Sequence, residues 1–126
     1  MWAYELLVFV LEDDESLRDL LKLYLEASGR CTVYAIASVG ELERYSGDLV
    51  CVSVAILDIN LGLSEPTGVD AYRWLRSHGF VGRIIFLTGH ARSHPAVREA
   101  FLIRDAILLE KPMGIGRLQS VIFQAA

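Results

Sequence analysis

Short apolar runs alternate with stretches whose apolar positions recur every three or four residues. Glu5 to Leu11 is apolar and rich in strand-favouring residues, which predicts a first strand. Leu17, Leu20, Leu21, Tyr24 and Leu25 then fall at helical spacing and predict an amphipathic helix. Asp14, Glu15 and Asp19 suit its positive N-terminal end, Asp14 as a helix-start acid, and Ser28-Gly29 stops it. Thr32 to Ala37 reads as a second strand. Ser38 caps a short helix through about Tyr45, with Glu41 placed for a capping box. Gly47-Asp48 forms a turn before a third strand, Val50 to Leu57. A loop with Gly62, Pro66 and Gly68 leads into a helix from Val69 to His78. Gly79 and Gly82 bracket the next turn, and Arg83 to Leu87 is a fourth strand ending at Thr88. Pro95 to about Ile103 is a helix whose proline fits the first turn. Ala106 to Leu109 is a fifth strand, ending at Glu110-Lys111-Pro112. Ile115 to Phe123 is a closing helix with Ile115, Leu118 and Ile122 on one face.

Strand and helix alternate five times with no repeat, linker or low-complexity segment. That order predicts a parallel sheet with helices on both faces. Val54 to Leu57 is apolar throughout, as a strand buried on both faces should be, and runs straight into Asp58. Parallel strands place their carboxyl ends on one edge, where ligands of open α/β sheets bind. Four of the five ends carry polar groups: Glu12/Asp13, Asp58, Thr88 and Lys111.

Composition narrows the picture. The 126 residues suffice for one domain with a sizeable core. A hydrophobic fraction of 53% leaves an apolar surplus that can face a partner. A net charge of −4 argues against direct contact with nucleic acid. No apolar run approaches the roughly 18 residues of a membrane span, and the N-terminus reads as a strand rather than a signal peptide. Cys31 and Cys51 have no metal spacing and read as buried thiols of a reducing cytoplasm. His78, His90 and His94 read as surface residues.

Glu12, Asp13 and Asp58 would bring three carboxylates together. Like charges at close range resist joint ionisation unless a cation compensates, and oxygen ligands without His or Cys select a hard ion such as Mg2+. Lys111 adds a point charge for an anion and Thr88 a hydroxyl donor. The chain uses Arg ten times and Lys twice, so lysine at this place is informative. A carboxylate nucleophile, a divalent ion, a lysine and a hydroxyl form a set suited to phosphoryl transfer through an acyl phosphate.

The segments VFVLEDDESLRDLL, VAILDINLG, IIFLTGH and LLEKP, in order and at strand ends, resemble those of a response-regulator receiver domain. The resemblance covers essentially all of residues 1–126. It implies the CheY-like, flavodoxin-like (βα)5 fold, a doubly wound sandwich with a five-stranded parallel sheet in order 2-1-3-4-5. It implies that Asp58 accepts the phosphoryl group. Asp13 would then be a direct metal ligand, Glu12 its acidic neighbour and Asn60 the donor of a backbone carbonyl to Mg2+. Thr88 would contact the phosphoryl group, Lys111 would pair with it, and Pro112 would follow a cis bond. His90 lies near the site and could tune the lifetime of the phosphoryl group. In the family order the strands bearing the cysteines flank the first strand. Their separation of roughly 9–10 Å exceeds the reach of about 7 Å for a disulfide.

Four departures from the family pattern affect the output. Gly62 stands where a proline is usual, and the helix-opening glycine comes at Gly68, so the loop after Asp58 is about two residues longer. Leu108 replaces the usual aromatic three residues before Lys111, which removes the ring that ordinarily turns inward. Arg104-Asp105 replaces the usual Gly-Ala pair. Phe101, Leu102 and Ile103, with Ile107 and Leu109, predict an apolar contact face on the fourth helix, fifth strand and fifth helix, for a second copy or an effector domain. One helix cannot bury three consecutive side chains on one narrow face.

The expectation is a cytoplasmic switch rather than a turnover enzyme, loaded by a histidine kinase or histidine phosphotransfer domain, with no membrane or direct nucleic-acid partner. No effector domain is expected within these residues, either as a stand-alone regulator or as a receiver from a longer protein. A metal-dependent phosphatase would commonly carry an acid where Asn60 stands. A phosphorylation-independent interaction domain of the same fold would be marked by loss of Asp13 or Lys111, and both are present.

Overall fold

A computed structural model describes residues 6–59, 67–89, 95–111 and 114–123. The elements are β1 (Leu6–Leu11), α1 (Glu15–Glu26), β2 (Cys31–Ile36), α2 (Val39–Leu42), a 3-10 segment (Glu43–Cys51), β3 (Val52–Asp58), α3 (Gly68–Ser77), β4 (Arg83–Thr88), α4 (Pro95–Phe101), β5 (Ala106–Glu110) and α5 (Ile115–Phe123). The five strands form one parallel sheet in the order 2-1-3-4-5.

Alternation along each strand divides the core in two. Phe9, Leu11, Ala55, Leu57, Ile84 and Phe86 face α2, α3 and α4. Val8, Val10, Val54, Ile56, Ile85 and Leu87 face α1 and α5, meeting Leu21, Leu25, Leu118 and Ile122. Val54 to Leu57 is buried throughout, as its unbroken apolar run requires. Val54, Ile56 and Leu57 each contribute roughly 1.5–3 kcal/mol by leaving water, so the central strands are the fixed frame on which the strand ends sit.

Several boundaries differ from the sequence reading. The helix after Ser38 is α-helical only to Leu42, and a 3-10 segment then runs through Gly47-Asp48 to Cys51. Ser46, Gly47 and Asp48 are poor α-helix formers. Burial of Leu49 and the stacking of Tyr45 on Tyr34, with ring centroids 5.2 Å apart, nevertheless hold the chain against the core. The third strand therefore starts at Val52 rather than Val50. Cys51 is exposed, not buried, because it lies outside the strand; Cys31 is buried, and neither forms a disulfide. The capping box at Ser38 is half formed. Ser38 accepts from the Glu41 N–H, but Glu41 accepts from Ala37 N–H rather than that of Ser38. A complete box stands at α3, between Thr67 and Asp70. Finally, α4 ends at Phe101 rather than Ile103. Leu102 and Ile103 bond to Glu99 and Ala100 three residues back, which tightens the chain out of the α-helix.

Candidate functional site

The carboxyl ends of β1, β3 and β4 and the residue after β5 meet at one edge. Glu12 follows β1 directly; its N–H donates to Ile36 O at 2.9 Å, which holds it beside β2. Its side chain is 2% exposed, so burial forces it to find partners. Asp13 is exposed. Asp14 is the N-cap of α1 and accepts from Leu17 N–H at 3.2 Å, as the helix-start reading requires. From α1, one guanidinium nitrogen of Arg18 donates to the carbonyls of Glu12 at 2.9 Å and Asp13 at 3.4 Å.

Asp58 ends β3 and is 4% exposed. Its strand is locked to β4 by the Asp58–Leu87 pairing and by Ile59 N–H donating to Leu87 O at 2.9 Å. Gly68 opens α3 against this turn, its N–H donating to Ile59 O. A Cβ on Gly68 would lie 2.4 Å from the Asp58 carbonyl oxygen, so only glycine allows α3 to start there. Thr88 is buried at the end of β4, and its carbonyl accepts from Lys111 N–H at 2.7 Å. That bond directs the Lys111 side chain back over the edge. Its Nζ lies 2.9 Å from Glu12 Oε1 and 3.3 Å from Asp58 Oδ2.

Glu12, Asp13 and Asp58 each offer an oxygen within 4.8 Å of the others. An all-oxygen set at that spacing fits a hard divalent cation. Burial, followed by the hydrogen bond to Asp58, raises the Glu12 pKa above its ordinary value, while Lys111 opposes the rise. Asp13 is likewise raised, by burial and by Glu12. Burial alone would lower the Lys111 ammonium, but the hydrogen bond to Glu12 and the Asp58 charge outweigh it and its pKa is raised. Lys111 is thus a fixed cation of the site, paired with both buried acids, and the three carboxyl groups outnumber it.

The structure therefore brings Glu12, Asp13, Asp58 and Lys111 together and sets Thr88 on the neighbouring strand end. Asn60, Gly62, His90, His94 and Pro112 lie outside the described residues. His78 is exposed at the far end of α3, as a surface residue. Sequence reasoning left Arg18 unassigned. On a helix it reads as a solvated polar position, and its reach back to the β1–α1 turn is visible only in three dimensions. The Thr67–Asp70 cap was also missed, although the Thr-x-x-Asp spacing carries its signal.

The family profile described as "Response regulator receiver domain" matches residues 8–123. The chain is 37% identical over 120 residues to the C4-dicarboxylate transport transcriptional regulatory protein DctR of Rhodobacter capsulatus, covering 94% of this chain and 58% of that protein. It thus spans little more than half of that relative's length. Among solved structures, a response regulator receiver domain protein of Clostridium thermocellum superimposes with a TM-score of 0.80 at 24% identity, covering 95% of this chain and 93% of that one. Chemotaxis protein CheY4 of Vibrio cholerae does so with a TM-score of 0.79 at 21% identity, covering 97% and 99%. These likenesses define a signalling domain of the CheY-like fold. The chain belongs to the response-regulator receiver domain family of two-component systems.

Proposed function

We propose that the chain accepts a phosphoryl group onto Asp58 from the phosphohistidine of a histidine kinase or histidine phosphotransfer domain, with Mg2+, and thereby switches a partner-binding face. The observation that carries this reading is the convergence of three carboxylates and one lysine on a single strand edge. An Asp58 oxygen attacks phosphorus as the P–N bond to the donor imidazole breaks, and the imidazole nitrogen keeps the electron pair and takes up a proton. Glu12, Asp13, Asp58 and the backbone of Asn60 would hold the metal. Bound Mg2+ would neutralise charge on the phosphoryl oxygens. Lys111 exchanges its carboxylate partners for the phosphoryl anion, and the Thr88 hydroxyl donates to it. The domain catalyses only its own phosphorylation and dephosphorylation, and it acts in the cytoplasm. Among the described residues no helix is long and apolar enough to cross a membrane.

Incubation with a small phosphodonor such as phosphoramidate, followed by intact-mass spectrometry, tests the chemistry. One added phosphoryl group is expected with Mg2+ and none in chelator. Asp58→Asn should abolish it; equal labelling of that variant rejects Asp58 as the acceptor.

The output face of this reading is α4, β5 and α5. Phe101 is 51% exposed and Leu102 81%, whereas Ile103 packs partly on the core and Leu109 is buried. Ile107 stands at the exposed margin of β5. Two large apolar side chains facing water beside an edge strand suit a second copy or an effector domain. The relative is a transcriptional regulator, and an output on transcription would run through such an effector rather than through nucleic-acid contact by this acidic chain. Sedimentation with Mg2+ and beryllofluoride should show an association that Leu102→Glu removes. A monomer in every condition would discard the homodimer version.

A further inference from the structure

We infer that Arg18 is a positioning residue for the metal site, acting through the backbone of the two acids. The inference rests on the reading of Glu12, Asp13 and Asp58 as Mg2+ ligands. Three residues, Glu12 to Asp14, turn the chain from β1 into α1, and two of them carry candidate ligands. The turn is held at its entry by Glu12 N–H on Ile36 O, and at its exit by Asp14, whose side chain caps Leu17 N–H. The two consecutive carbonyls between these fixed points both accept from one guanidinium nitrogen of Arg18.

The position of Arg18 is informative. It stands four residues after the N-cap, where a cation opposes the helix dipole. Helical side chains lean toward the N-terminus, and this one uses that lean to return to the turn. The guanidinium stays charged and planar, so the two protons of that one nitrogen have fixed directions and can hold two carbonyls in one orientation. Those peptide orientations set where the Glu12 and Asp13 carboxylates leave the backbone. The same charge lies beside a cluster of acids that a single lysine does not balance. An arginine placed against the dipole, gripping the ligand-bearing turn, is accounted for by the site rather than by the helix.

Loss of an outer-shell partner typically weakens metal binding by roughly 10–100-fold. Because Arg18 acts on the backbone of two ligands among three, the lower end applies. Mg2+ titration of the unphosphorylated protein, read by the amide resonances of Asp13 and Asp14, should show binding weaker by about tenfold in Arg18→Ala. Arg18→Lys, which keeps the charge but not the fixed planar geometry of the donors, should recover part of the loss. In the phosphodonor assay the half-saturating Mg2+ should rise while the rate at saturating Mg2+ stays within about twofold, as expected for a binding rather than a chemical defect.

Lys22→Ala serves as the control. It lies on the same helix and loses contacts to Val33 O and Glu26, but touches nothing at the turn. Its Mg2+ affinity should match that of wild type. If Arg18→Ala does not fold, Arg18→Gln replaces it; its amide is too short to hold both carbonyls, and the same loss is expected. Wild-type affinity in the folded Arg18 variants would overturn the inference, as would an equal loss in Lys22→Ala. A wild-type protein that binds no Mg2+ would instead overturn the metal reading itself.

Discussion

At the scale of single residues, the site is a problem of charge. Glu12 and Asp58 are almost fully buried, Asp13 adds a third carboxylate, and Lys111 pairs with both buried ones. Removing one partner of a fully buried pair costs roughly 3–5 kcal/mol. The Lys111 side chain keeps 24% of its surface in water, so Lys111→Ala should cost less, about 1–3 kcal/mol in metal-free buffer. Urea unfolding should also show that Mg2+ restores part of that loss, because a cation among the acids takes over the missing compensation. A loss unaffected by Mg2+ would mean that Lys111 stabilises by packing alone. The acids, Thr88 and Lys111 were legible in the sequence because parallel strands put their carboxyl ends on one edge, and polar groups coincide at four of those ends where one alone would read as the start of a loop. Arg18 was not, because its partners are main-chain oxygens and leave no mark in residue identities.

At the scale of elements, side chains finish what the backbone leaves open. β2 is an edge strand, and Val33 turns its N–H and C=O outward. Glu26 accepts from that N–H at 2.9 Å and Lys22 donates to that carbonyl at 2.8 Å, so α1 covers the edge. The Val33 bond first, and then Lys22, hold the Glu26 carboxyl below its ordinary 4.5. A depressed carboxyl contributes stability above its unfolded pKa and loses it as pH falls through its folded value. Thermal midpoints between pH 6 and pH 2.5 should therefore fall less steeply in Glu26→Gln than in wild type, with the two curves converging in acid. Parallel curves would remove Glu26 from the acid response.

α3 is fastened at both ends. Its start rests on the Asp58 carbonyl through Gly68. Near its end, Tyr72 donates to Asp105 at 2.7 Å, and Arg76 binds the same carboxylate at 3.1 Å and the carbonyls of Phe80 and Gly82. Asp105 stands where the family usually has a small residue; the sequence exposed the departure but not its partners, which lie 29 and 33 residues earlier. Gly68→Ala should destabilise by about 1–3 kcal/mol, the range for forcing atoms into a packed site, because the obstruction is backbone and cannot swing aside. A stability equal to wild type, measured by urea unfolding, would show that the helix start shifts freely.

For the whole molecule, the alternation of runs was enough to place the sheet and its two layers of helices. Strand order came from the family resemblance, since pairing partners leave no periodic signal. The 3-10 segment escaped because Gly47-Asp48 reads as a turn, which hides the continuation of the helix past Tyr45 in 3-10 form. β1, β3 and β4 are bonded on both sides, whereas β2 and β5 are margins. Native-state hydrogen exchange should be slowest in Val8–Leu11, Val54–Leu57 and Ile84–Leu87 and faster in β5. Equal protection of β5 would indicate one cooperative unit.

The bond between Glu12 and Lys111 joins residues 99 apart. Everything acidic in the site is already present once the ribosome has made β3; the lysine that balances it arrives after the last strand. A nascent chain therefore passes through a stage in which β1 and β3 can pair but their acids meet without the lysine, with Arg18 as the cation beside them. Long-range parallel pairing is slow, and until the lysine arrives a dissolved cation is the counter-charge that can add to Arg18. A divalent cation drawn to the three acids would then serve, earlier, as an assembly aid.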